Sequence, residues 1–187
     1  MAAWFLTPWL EPLARCAALV LTACAALLAG GCNEKPVPEG HERVVIDGRT
    51  FILEVAADDE RRVRGLGGRS EIPEDGGMLF VFRRPEALGF VMRDCLVPID
   101  IIFLDATGRV TAMHQMTLEE PRRPDEKPYA DALGRRRDPY EERLKIYRSN
   151  GPAQFAIELR GGMLDELSVS VGDRIPLETE RLGQAAR

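Results

Sequence analysis

The residues with the most chemical capacity fall in one part of the sequence. Arg93, Asp94 and Cys95 are consecutive, and Asp100 and His114 follow in the next two apolar runs. A catalytic thiol needs a base to generate its thiolate, and His114 is the only histidine in the body of the chain, so Cys95 and His114 are the one pair that offers nucleophilic chemistry. The plainer reading of Cys95, a small buried side chain beside Leu96, carries more weight. Asp100 sits in Pro-Ile-Asp-Ile-Ile, where a carboxylate facing a core is costly without a partner. It reads either as a pocket carboxylate with a raised pKa or as a scaffold residue. In the second reading it pairs with Arg93 or with a backbone N–H that fixes a neighbouring loop, and this is preferred. His114 with Asp94, Asp100 or Glu119 would be a thin donor set for a transition metal, so no metal is expected. With Met92, these residues define a candidate ligand-binding surface: Met92, Arg93, Asp94, Cys95, Asp100 and His114.

The elements that must position them are short strands. Val44–Ile46 and Thr50–Val55 flank Asp47-Gly48, the pattern of a tight hairpin. Asp58 is placed to cap a short polar helix that stops at Gly65. Met78–Phe82 is apolar at every position and reads as a strand buried on both faces. Gly89–Met92, Ile99–Asp105 and Val110–Met116 read as further strands. Alternation puts Val110, Ala112, His114 and Met116 on one face, and Asp100 with Ile102 and Leu104 on another. Residues 117–150 form a long polar insertion with a helix expected over 140–147. It contains Arg135-Arg136-Arg137, whose acidic neighbours mark a solvated face rather than a lipid-headgroup site. Pro152–Leu159 returns to strand, a helical turn follows at Met163–Leu167, and Arg174–Leu177 is expected to close the sheet. The last nine residues, 179–187, read as a frayed polar tail. Many short strands punctuated by glycine and proline predict a mainly β domain. The expected form is a compact antiparallel sandwich or jelly roll, or a small barrel, with one or two short helices.

The totals set further bounds. A chain of 187 residues with 45% hydrophobic and 29% charged residues is globular, and a net charge of −5 gives no global attraction to nucleic acid. No cofactor is implied, since no glycine-rich phosphate loop follows a strand and no closely spaced cysteine pair is present. The cysteines are Cys16, Cys24, Cys32 and Cys95, a distribution unlike a disulfide framework.

Three of those cysteines belong to an N-terminal targeting segment. An uncharged run from Cys16 ends in Ala29-Gly30-Gly31-Cys32, which resembles the lipobox of bacterial lipoproteins. That resemblance implies a signal peptide over residues 1–31, cleavage before Cys32 and a lipid on its thiol. Residues 33–42 would then be a tether, rich in proline and charge and carrying His41. The expected location is extracytoplasmic and membrane-anchored, which in a Gram-negative cell means the outer membrane or the periplasmic face of the inner membrane. The alternative is an uncleaved single-helix anchor on a structural protein.

A wider resemblance covers the body of the chain. Arg64-Gly65-Leu66, Gly77 to Phe82, Phe90-Val91-Met92, Pro98 to Phe103, Gly108-Arg109-Val110, Tyr147-Arg148-Ser149, Pro152-Ala153, Glu158-Leu159, Gly162 and Val171-Gly172-Asp173 occur in the order seen in the domain of unknown function 192 family. This similarity spans about 43–178 and implies a compact, mainly β, jelly-roll-like domain with no settled activity. The chain departs from the family's usual Trp-Met-Lys-Asn-Thr at Val91 to Cys95, and from its Gly-Leu-Met at Gly67. The function expected from the sequence is a non-catalytic binding or accessory role in the cell envelope, with a small molecule or an envelope component as partner. The alternative is an envelope hydrolase or transferase using Asp100, His114 or Cys95.

Overall fold

Asp47 and Gly48 both take positive φ, 49° and 73°. A two-residue hairpin turn requires that backbone, and it folds β1 (His41–Ile46) onto β2 (Arg49–Ala56) in antiparallel register. The computed structural model describes residues 36–187, and Val37–Arg187 form one unit. Residues 1–35, including the segment expected to be a signal peptide and Cys32, lie outside the described residues.

After β2 the chain crosses over through α1 (Asp59–Arg64). The Asp58 side chain accepts from the Arg61 N–H at 2.9 Å at the N-terminus, and Gly65 ends the helix at φ 52°. The crossover is needed because β3 (Met78–Phe90) lies parallel to β2, with Glu54 opposite Met78. Gly77 leads into β3 at φ 145°, so close to β8 that a Cβ there would overlap the Glu158 carbonyl oxygen. Next come β4 (Ile99–Leu104) and β5 (Val110–Met116). The insertion holds a small ladder, β6 (Tyr129–Ala130) with β7 (Arg136–Arg137), and α2 (Pro139–Arg143). The long β8 (Tyr147–Arg160), α3 (Met163–Glu166) and α4 (Thr179–Ala185) complete the chain.

The six main strands form one sheet in the order β1-β2-β3-β8-β4-β5. Both of its faces are buried. Leu79 and Val81 of β3, Ile102 and Leu104 of β4, and Phe155, Ile157 and Leu159 of β8 pack on one side. Met78, Phe80, Ile99, Ile101, Phe103 and Ala156 pack on the other. All six residues of β4 are buried, the pattern of a strand covered on both faces.

The mainly β class read from the sequence is borne out. Among the described residues its particulars are a six-stranded open sheet with one parallel pair, the small β6–β7 ladder and four short helices. Other local expectations differ. Phe90 ends β3 rather than starting a strand of its own, with register shifts between Val81 and Glu86 and again between Ala87 and Gly89 taking up the proline-containing break. Val110 does not share a face with Ala112 and Met116, because a bulge between Phe103 and Leu104 shifts the register, and Val110 packs with Leu104. Around Arg174–Leu177 there is no strand, only one bridge from Arg174 to Arg109. Residues 179–185 are helical rather than frayed: Leu182 is buried, and the Arg187 N–H donates to the Ala57 carbonyl at 2.8 Å. The helix in the insertion stops at Arg143, yet Tyr140, Leu144 and Tyr147 are all buried as their spacing suggested.

Candidate functional site

The six residues singled out from the sequence do not gather into one site. Met92 is fully buried in the core beside Phe80 and Phe103. Arg93 holds Glu141 of α2 through two nitrogens, Nε and Nη2, each 2.6 Å from a carboxylate oxygen. Asp94 stands at φ 54° and exchanges two hydrogen bonds with Tyr140. Its N–H donates to the hydroxyl at 3.0 Å, and the hydroxyl donates to Oδ1 at 3.1 Å. Arg93 and Asp94 therefore dock the insertion onto the body of the domain, which explains why a polar insertion helix has a buried tyrosine.

Asp100 is 1% exposed and points to the opposite face of the sheet, where its Oδ2 accepts from the Leu164 N–H at 2.7 Å. Burial raises its pKa, while the backbone N–H groups of Leu164, Gly162 and Met163 work against that rise. It fastens α3 to β4, the backbone-partner role read from the sequence. His114 lies on the sheet face of Phe103, between that ring (centroids 6.0 Å apart) and the Tyr147 ring (5.7 Å). Its Nε2 is 2.8 Å from the Arg148 carbonyl. Asp100 and His114 thus sit on opposite faces of the sheet.

Cys95 lies in a different environment. It borders a partly open cavity of about 360 Å³ that His114 and Asp100 do not line. Burial, with a contribution from Glu158, pushes the thiol up to about 12, which leaves it protonated at neutral pH. The Cys95–His114 pairing needed for a nucleophile is not formed. Among the described residues, no group of three or more His, Cys, Asp or Glu is placed to hold a metal.

That cavity combines an aromatic lining with a buried acid. Its roof is α1 and the Gly65–Gly67 turn; its walls are β3 and the Val91–Cys95 loop. Phe80, Phe82 and Phe90 form its apolar lining. Phe90 meets the edge of Phe80 at 4.8 Å between centroids and of Phe82 at 6.4 Å. Arg62 crosses the Phe82 ring at 5.4 Å while it donates to the Val81 carbonyl at 2.8 Å. The glycines matter to the shape: a Cβ at Gly67 would stand 3.1 Å from both the Arg64 and Arg93 carbonyl oxygens. The Gly68 N–H donates to the Asp94 carbonyl at 2.8 Å, closing roof against wall. Gly67 and Val91, two positions where the sequence departs from the family pattern, both line this space.

The cavity also contains a group the sequence reading did not single out. Glu158, on the central strand β8, is only 5% exposed and directs its carboxyl into the cavity. The Leu66 backbone N–H faces the carboxyl, but Oε2 has no hydrogen-bond partner. Desolvation dominates and raises its pKa to about 8, opposed by the Leu66 N–H and the charge of Arg69. Arg69 itself is held by Glu54 through both terminal nitrogens. Glu158 is therefore a neutral carboxylic acid at pH 7. A signal was present in the sequence: Glu158 alternates with Ile157 and Leu159 in the strand that ends up between β3 and β4.

The described domain is thus of the open-sheet β class, with a small aromatic cavity roofed by its first crossover. Residues 42–177 match the family DUF192, described as "Uncharacterized ACR", and the chain belongs to it. Two solved structures are similar. One, from Sinorhizobium meliloti 1021, is described as a candidate transcription regulator. It is 25% identical with a TM-score of 0.55, over 77% of this chain and 97% of that one. The other, a protein of unknown function from Novosphingobium aromaticivorans DSM 12444, is 21% identical with a TM-score of 0.59, over 78% of this chain and 94% of that one; this likeness concerns the fold alone. Each match takes in nearly the whole of the solved chain. No curated protein matches the chain.

Proposed function

We propose that this protein is a lipid-anchored binding domain of the cell envelope, attached through Cys32 and taking up a small molecule in the cavity beneath α1. One observation carries the reading: a partly open, aromatic-lined space of about 360 Å³ with a buried acid directed into it. Small-molecule sites are concave, mostly apolar and supplied with a few convergent polar groups, and this cavity has that composition. The Cys95, Asp100 and His114 side chains do not converge in it, which favours binding over an acyl- or group-transfer reaction at those residues.

The test is a thermal-shift screen on residues 37–187, run in parallel on Val91→Trp. A ligand raises the melting temperature by its binding free energy. Tryptophan at position 91 should fill the cavity, so genuine ligands should stabilise the parent domain and not the variant. Hits that stabilise both equally would place binding elsewhere. For the anchor, palmitate labelling of the full chain should be lost in Cys32→Ser, and labelling that persists would overturn the assignment.

A further inference from the structure

The polar content of the cavity narrows what it would hold. The guanidinium groups around its rim already have carboxylate partners: Arg62 with Asp59, Arg64 with Glu60 and Arg93 with Glu141. An anion entering the cavity would have to compete with those pairs. Among the residues that line the cavity, Glu158 Oε2 is a buried polar atom with no hydrogen-bond partner. The protein group facing that carboxyl, the Leu66 N–H, is a donor. The proton of the neutral acid therefore has no acceptor among the described residues. A buried donor left unmatched is destabilising, and a ligand that supplies the acceptor removes that defect.

We propose that the cavity binds a compact, flat, uncharged ligand bearing a hydrogen-bond acceptor, such as a carbonyl oxygen or an azine nitrogen. The Glu158 carboxyl donates its proton to that acceptor, and the ligand's apolar body packs on Phe80, Phe82 and Phe90. This assignment rests on the cavity being the binding site and adds the chemical class of the ligand. The charged and titratable groups around Glu158 leave that role intact. Arg69 is matched by Glu54, the Cys95 thiol stays protonated, and Asp59, Arg62 and Arg93 are engaged at the rim. An amine ligand would instead need the carboxylate form, against the desolvation that disfavours it.

Three probes of similar size separate the possibilities: acetophenone, ethylbenzene and benzylamine, titrated into residues 37–187 with backbone resonances followed by NMR. At pH 6.5 acetophenone should bind about fivefold or more tighter than ethylbenzene, the value of one hydrogen bond. Its affinity should fall about tenfold at pH 9, one unit above a pKa of about 8. Glu158→Gln keeps a donor, so it should retain the preference and lose the pH dependence. Glu158→Leu should lose the preference. Equal binding of ethylbenzene, or benzylamine binding that is preferred and strengthens with pH, would overturn the ligand class while leaving the cavity as the site. If no probe shifts the Phe90 and Cys95 resonances, both the cavity and the ligand class are wrong.

Discussion

Replacing Glu158 with glutamine should make the domain more stable at alkaline pH, a rare outcome for a core substitution. The carboxyl ordinarily loses its proton at 4.5 but in the fold keeps it until about 8. Between those values the folded state holds a proton that the unfolded chain has released. The contribution of this residue is therefore fully favourable below about pH 4.5, declines as pH rises towards 8, and is constant beyond. A difference of about 3.5 pH units corresponds to about 5 kcal/mol at 25 °C, a third or more of the stability of an ordinary domain. Glutamine has nearly the same shape and no charge in either state, so it escapes the decline. Cys95, whose thiol is raised to about 12, adds its own pH dependence only above about pH 9, outside the pH range of the measurement. Urea unfolding of residues 37–187 at pH 4.5, 6, 7 and 8.5 would measure the effect through the midpoint and slope. Parent and variant should agree closely at pH 4.5. By pH 8.5 the variant should lead by about 5 kcal/mol, or about 10–20 °C in melting temperature. Parallel curves for the two proteins across this range would refute the assignment of a neutral buried acid.

Two more expectations follow from other parts of the site. Asp100→Ala should cost about 1–3 kcal/mol in urea unfolding, because the Leu164 N–H loses its buried acceptor, whereas a cost below about 0.5 kcal/mol would show that α3 does not depend on that bond. Cys95 should react with iodoacetamide at pH 8 at least about a hundredfold more slowly than an unstructured cysteine peptide, since burial suppresses its thiolate; a peptide-like rate would show an open, activated thiol.

Local chemistry was the part of this structure most readable from sequence. Asp47-Gly48 specifies its turn through two positive φ angles, and Asp58 and Gly65 bound α1 because a cap and a stop act over a few residues. Asp100 was legible too: a carboxylate in an apolar strand needs a partner, and a backbone N–H supplies it. What escaped depends on contacts between distant segments. The bulge that turns Val110 away from Ala112 is a property of the β4–β5 pairing and leaves no mark in β5 itself. Glu158 alternates with the apolar Ile157 and Leu159, a pattern that separates two strand faces without telling what covers either. Only the placement of α1 and the Gly65–Gly67 turn over the Glu158 face makes its carboxyl buried. Arg93 and Asp94 drew notice as unusual residues, but their partners Glu141 and Tyr140 lie in an insertion whose position no periodicity could give.

The position of β8 in the sheet also bears on how the chain is made. The last main strand in sequence is inserted at the centre, between β3 and β4. Until residues 147–160 have emerged, β1–β3 and β4–β5 are two separate pieces, each presenting an unpaired edge of apolar strand. Joining them requires contacts far apart along the chain, which are slow to form and leave those edges open to other molecules meanwhile. A polypeptide interrupted before Tyr147 would thus consist of two adhesive fragments with no complete sheet. During synthesis, the interval before β8 arrives is the time at which a holding chaperone would matter most to this protein.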